Sequence, residues 1–281
     1  MAALSHYSPT AIIRRATVWL LLLGFTSAIH GQNTTLELPP RPADAPTGSQ
    51  FLKQIESLAR EDREAATLHQ VKQGDIPAFL RTLKAIDLEA IDSQDKKHTA
   101  TCFVTCGYLA VGDDDDFFRI PMTPMTAQAI ASATNTSLIT AKLSDEIFRH
   151  AELKFEPKPL IKDRDATPTF YEHHQIIEQQ RGEKPLGLLI AGIKKDVVLT
   201  NRLNAKPNRV AIYGWHYPTG KPIQPLYVGH THWHVDYSHG IRLMSQRMIV
   251  DGQPMQVSDV LQHKDLCVLL SNEGPIDAGY P

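Results

Sequence analysis

The stretch from Tyr213 to Leu243, YGWHYPTGKPIQPLYVGHTHWHVDYSHGIRL, constrains this chain more than any other. It holds five of the chain's thirteen histidines, His216, His230, His232, His234 and His239. Read as a strand over Tyr227 to Leu243, bent at Gly240, its side chains alternate between two faces. His230, His232, His234, Asp236 and Ser238 then share one face, and Trp233, Val235 and Tyr237 share the other. The second face suits burial, so the strand has to lie at the border of a core. Its register is then fixed, because a one-residue slip would bury the histidines.

The remaining chain divides around that strand. Phe51, Ile55, Leu58 and Ala59 recur at helical spacing, with charges on the other face to about Lys72. Phe79, Leu80, Leu83 and Ile86 suggest a second short helix, so 49–95 reads as a helical preface. From His98 the pattern alternates. TATCFVTCGYLAVG reads as a strand and Phe117 to Pro121 as its hairpin partner, with Asp113 to Asp116 as a solvated turn. Thr123 caps a helix over Pro124 to Ala133. Further helices are expected within Ser137 to His150 and over Thr167 to Gln180, with His173 and His174 as surface residues of the last. Strands return at Gly187 to Ala191, Asp196 to Thr200 and Arg209 to Trp215. Met248 to Val250 and Met255 to Val257 flank the hairpin turn Asp251-Gly252. Ser258 opens a short helix, and Leu266 to Leu270 reads as a closing strand. Helices first, then mostly antiparallel strands, predicts an α+β fold with N-terminal helices packed on a mostly antiparallel sheet, the α+β domain running over 96–281.

The first residues predict export. Arg14 and Arg15 precede the apolar run Val18 to Phe25, and small residues follow at Thr26, Ser27, Ala28 and Gly31, so 1–31 reads as a signal peptide cleaved before a secreted or periplasmic protein. The apolar run is shorter than the ~20 residues a membrane span needs, so no stable span is expected after cleavage. Residues 32–48, rich in Pro and Thr, read as a flexible or extended leader. A net charge of −2 gives no electrostatic case for nucleic acid. Of three cysteines, Cys102 and Cys106 share a strand face roughly 13 Å apart, too far to bridge. Cys267 pairing with either one, or three buried thiols, remain as alternatives.

The chemistry follows from the histidine stretch. His232, His234 and Asp236 at alternate positions suit zinc or another divalent ion. THWHVDYSHG also looks somewhat like the metallo-β-lactamase motif, but Tyr237 stands where its last histidine belongs. VAIYGWH followed by YSHGIRL resembles the end of an L,D-transpeptidase catalytic domain. Ser238, His239, Gly240, Ile241 and Arg242 match that motif, while Gly240 runs straight into Ile241 where the family carries its nucleophilic cysteine. The resemblance covers roughly thirty-five residues and implies a cell-wall substrate. Catalytic roles are expected for His216, His234, Asp236, His239 and Arg242, and substrate contacts for Lys195, Trp233 and Tyr237. The expected activity is a secreted hydrolase or transferase acting on peptidoglycan or another extracellular polymer without a cysteine nucleophile. The alternative is a non-catalytic envelope protein that binds a polymer or small ligand through the same cleft.

Overall fold

Thr47 and Gln50 start the first helix by exchanging hydrogen bonds: the Thr47 hydroxyl accepts from the Gln50 N–H, and the Gln50 amide oxygen accepts from the Thr47 N–H at 3.0 Å. The computed structural model describes Met1 and residues 35–280. The expected export signal lies outside the described residues. Among the described residues no helix is long and apolar enough to cross a membrane.

Helix α1 (Gly48–Ile55) buries Phe51 and Ile55, and α2 (Arg60–Lys72) follows it. The second expected helix is only the single turn α3 (Ala78–Arg81), which holds Phe79 and Leu80; Leu83 and Ile86 lie instead in a strand, β1 (Leu83–Ile91), paired antiparallel along its length with β2 (Lys97–Thr105). The signal is the run Ile86-Asp87-Leu88-Glu89, in which Ile86 and Leu88 are buried and Asp87 and Glu89 exposed, a period of two. The leader is not flexible where it is described. Leu36 is buried and donates its N–H to Arg81, and the Arg41 guanidinium pairs with the buried Asp75 at 2.7 Å.

Strands β3 (Ala110–Gly112) and β4 (Phe117–Arg119) form a hairpin as expected, but the single strand expected through TATCFVTCGYLAVG breaks at 106–109 and its first half, β2, belongs to another sheet. Its acids make the turn, with the Asp113 carboxylate accepting from the Asp115 and Asp116 N–H groups. Thr123 caps α4 (Pro124–Ala133), Thr140 caps α5 (Ala141–His150), and β5 (Thr136–Leu138) lies between them. Next come β6 (Leu153–Lys154), α6 (Thr167–Arg181) and β7 (Ile190–Ala191), with β6 and β7 parallel. The chain then lays down β8 (Lys195–Val197), β9 (Ile212–His216) and β10 (Pro222–Tyr227), followed by β11 (His239–Gly240). Strands β12 (Leu243–Ser245), β13 (Arg247–Val250) and β14 (Gln253–Gln256) and helix α7 (Val257–Gln262) complete the order. Leu266–Leu269 is a 3-10 turn, not a strand; its buried apolar residues have no partner strand and close on His263 through the Cys267 N–H.

Two sheets organise these elements. In the larger, β2 pairs with β1 on one edge and with β12 and β13 on the other, and β5 and β14 flank them, all antiparallel. The smaller runs β10-β9-β8-β11, antiparallel except for the parallel β8–β11 pair. The architecture is α+β with mostly antiparallel sheets, as expected. All three cysteines are free and buried, which removes the disulfide alternative.

The long histidine strand does not form. The strand stops at Tyr227 and the next begins at His239; between them only Thr231 pairs, as a single bridge to Arg209, and residues 228–238 are otherwise a looped connection. Turn chemistry competes with the ladder here. The His234 N–H donates back to the Thr231 carbonyl, the Asp236 carboxylate accepts from the Ser238 N–H at 2.8 Å, and the His239 N–H closes on the Asp236 carbonyl at 3.0 Å.

Candidate functional site

The looped connection delivers three of the expected residues to one place. Among the described residues, His234, Asp236 and His239 each offer a ligand atom within 4.8 Å of the other two. His234 Nε2 stands 3.9 Å from Asp236 Oδ2, and His239 Nε2 stands 4.0 Å from Asp236 Oδ1. Asp236 and His239 are buried, while His234 is partly exposed and stacks on His230 at 4.0 Å between ring centroids. His230 is partly exposed as well, so the two stacked rings form the outer side of the cluster.

The carboxylate is held from two sides. Ser238 donates both its N–H and its hydroxyl to Asp236 Oδ1, and Arg164 donates to Oδ2 at 2.7 Å. Burial alone would raise this carboxyl. The positive partners (His239 when protonated and the Lys195 ammonium) and the Ser238 hydrogen bonds outweigh it and keep Asp236 ionised well below the usual range. His239 behaves oppositely. Burial pushes its imidazole down to about 3, so the ring is neutral at physiological pH. Neither of its ring nitrogens has a hydrogen-bond partner among the described residues. A buried, wholly unpartnered imidazole is costly and points to a ligand.

Strand pairing brings Lys195 alongside, since it is the register partner of His239. Its ammonium lies 5.4 Å from the Trp215 ring centroid, and burial lowers its pKa. Behind the cluster Tyr237 is buried, not a substrate contact, with its hydroxyl accepting from the Leu160 N–H at 2.7 Å. It packs edge-on against His173 at 4.8 Å. Lys194, fully buried, donates to the Tyr237 carbonyl at 2.5 Å and reaches His173 Nδ1 at 3.3 Å. Burial brings the Lys194 ammonium down to about 7 and the His173 imidazole down to about 2.

Several expected residues stand elsewhere. Trp233 is 48% exposed and covers no core; Arg60 lies 5.2 Å over its ring. His232 is not a member of the ligand group. Its N–H donates to Asn208 and its ring packs edge-on against Trp233. The strand alternation that would have put it beside His234 is absent, and His239 takes its place.

His216 belongs to another site. Asp196 and Tyr213 are paired on β8 and β9 and face α5, where Ser144 donates to Asp196 at 2.6 Å and Tyr213 donates to Asp145 at 2.8 Å. His216 Nε2 meets the same Asp145 at 2.8 Å and stacks on Phe148 at 4.7 Å, in an open cleft with Arg149 and Lys154. Arg242 is a buried tie, donating to the Thr105 and Ile190 carbonyls at 2.9 and 2.8 Å with its guanidinium over the Tyr108 ring. His173 and His174 are buried within α6 packing, not surface residues. His174 sits among Phe117, Phe118 and Tyr171.

Sequence reasoning missed Arg164, Ser238 as a carboxylate holder, and Lys194. Asp236-x-Ser238 was the available signal for the second, since an aspartate two residues before a serine is turn chemistry. Nothing in the sequence ties Arg164 to Asp236, 72 positions away. The chain matches no protein-family model, no curated protein and no solved structure.

Proposed function

We propose that the protein is an exported hydrolase or transferase acting on peptidoglycan or another extracellular polymer, with His234, Asp236 and His239 as its reacting centre. The observation that carries this reading is their convergence around a buried imidazole with no hydrogen-bond partner, with the partly exposed His234 on the outer side. A cluster of perturbed titratable groups at a looped connection is the usual setting of catalysis. Asp236 is anionic and His239 neutral, so both present lone pairs that can hold and orient an attacking water or hydroxyl. Lys195 supplies positive charge where an oxyanion would develop. Export rests on the Arg14-Arg15 and apolar run, and the choice of a cell-wall polymer rests on the YSHGIRL resemblance.

The exposed Trp233 beside His234 supports a second reading, a binding protein that stacks a polymer on this aromatic. The experiment is to incubate the chain and its Asp236→Asn variant with peptidoglycan and other extracellular polymers, measuring both released product and co-sedimentation. Turnover lost in Asp236→Asn with binding retained supports the enzyme. Binding with no turnover by the parent sinks the enzyme in favour of the binding protein.

A further inference from the structure

We infer that His234, Asp236 and His239 bind one divalent transition-metal ion of the zinc type. The inference rests on reading this cluster as the reacting centre, and names how that centre activates its water.

Two imidazoles and one carboxylate form a donor set that zinc and its first-row neighbours favour. Calcium and magnesium prefer oxygen ligands throughout. Three protein ligands leave a further position open, the arrangement of catalytic sites; structural zinc sites are closed by four. A metal there lowers the pKa of bound water to about 7, the chemistry a hydrolase without a nucleophilic cysteine needs.

The geometry accommodates the ion. Bonds of about 2.0–2.2 Å in a tetrahedral site put donors ~3.4 Å apart. Asp236 Oδ2 stands 3.9 Å from His234 Nε2 and Oδ1 stands 4.0 Å from His239 Nε2, and one ligand atom from each residue lies within 4.8 Å of the other two, so a closure on the order of 1–1.5 Å completes the site. His234 is partly exposed and its ring is held by aromatic contacts with His230 and His239 with no side-chain hydrogen bond, so it can supply that movement. Asp236 and His239 are already buried and fixed by the backbone turn.

Two further observations point the same way. His239 is buried with both nitrogens unpartnered, and coordination satisfies one of them. Asp236 Oδ1 is oriented by the Ser238 N–H and hydroxyl, as outer-shell groups orient metal-bound carboxylates. Arg164 and Lys195 make the surroundings cationic, which weakens cation affinity. Their charge favours an anionic ligand, hydroxide or a substrate carboxylate, at the open position.

The test uses the tag-free chain, stripped with chelator and titrated with Zn2+ and Co2+ by calorimetry. Cobalt absorption in the visible reports the ligand geometry. The parent should bind one equivalent. His234→Ala and Asp236→Asn should lose binding while keeping the parent's circular dichroism and melting cooperativity. Ser238→Ala should weaken binding about 10- to 100-fold as an outer-shell change. His232→Ala should bind as the parent does, because it lies outside the set. A parent that binds no metal overturns the inference, as do ligand variants that bind like the parent or a His232→Ala variant that loses the ion. If the stripped parent turns over polymer at full rate and Asp236→Asn does not, the metal falls and the catalytic reading stands. If metal binds stoichiometrically with no turnover, the catalytic reading falls and the metal site stands.

Discussion

Lys195 and His239 are register partners across the parallel β8–β11 pair, which sets a lysine ammonium beside a buried, neutral imidazole. The lysine stem is nine-tenths buried and packs by Trp215, so the charged end is aimed and has little freedom to wander. Lys195→Met keeps the stem's volume and removes the charge. Turnover of polymer should fall about 100-fold, in the range seen when one oxyanion-stabilising group is removed. The melting temperature should change little, and a variant with parental kcat would remove Lys195 from the chemistry.

The two faces first assigned to the histidine stretch can be separated by stability. Tyr237 is fully buried and exchanges hydrogen bonds with the Leu160 backbone through its hydroxyl. Tyr237→Ala should cost about 3–5 kcal/mol, as large aromatic deletions in cores do. Trp233, 48% exposed with Arg60 over its ring, should cost less than about 1 kcal/mol on replacement by Ala. Denaturant unfolding of both variants measures the contrast, and equal losses would show that Trp233 is packed in solution.

Much of the fold was legible because its signals are local. Thr123 and Thr140 cap helices with their own hydroxyls, Asp251-Gly252 makes a hairpin turn, and the alternation in TATCFVT survives as β2. The site was legible in composition but not in geometry. Alternation put His232 beside His234, yet the turn closed by Asp236 and Ser238 brings His239 there instead. Period-two reasoning holds only while the backbone stays extended, and a carboxylate that captures its neighbour's N–H ends that condition. Ile86 and Leu88 were open to a strand reading, but Phe79, Leu80 and Leu83 matched helical spacing just before them. Arg164 and Lys194 reach the site through contacts made only in three dimensions.

Acid should destabilise the protein partly through His173. Burial holds this imidazole at about 2, against 6.5 when unfolded; the Lys194 ammonium, His174 and Arg119 push the same way, and Asp236 opposes them. Below pH 6.5 the unfolded chain takes up a proton that the folded chain refuses. Stability therefore falls as pH drops from 6.5 toward 2, by at most about 1.4 kcal/mol per pH unit for this group. His173→Gln removes that component but keeps a polar group for Lys194. Its melting temperature should decline less steeply than the parent's between pH 6.5 and 4. Parallel slopes would mean His173 is protonated in the folded protein.

Gly240 stands where β11 passes closest to the buried residues behind the site. A Cβ there would lie 2.4 Å from Tyr108 Cδ1 and 3.0 Å from Lys194 Cβ. The glycine is required by space, since Tyr108 is itself buried under the Arg242 guanidinium and cannot swing away. Gly240→Ala should therefore cost about 1–3 kcal/mol, as overpacking does. Because Gly240 follows His239 directly, the strain should also displace that imidazole, and turnover and metal affinity should fall with stability. Tyr108→Leu alone should destabilise by loss of ring packing. Combined with Gly240→Ala it should restore part of the lost stability, because the clashing ring is gone. The pair should show a coupling of about 0.5–3 kcal/mol in a double-mutant cycle read by denaturant midpoints. Strict additivity would mean the alanine is accommodated by backbone movement elsewhere, and would remove Tyr108 as the reason for the glycine.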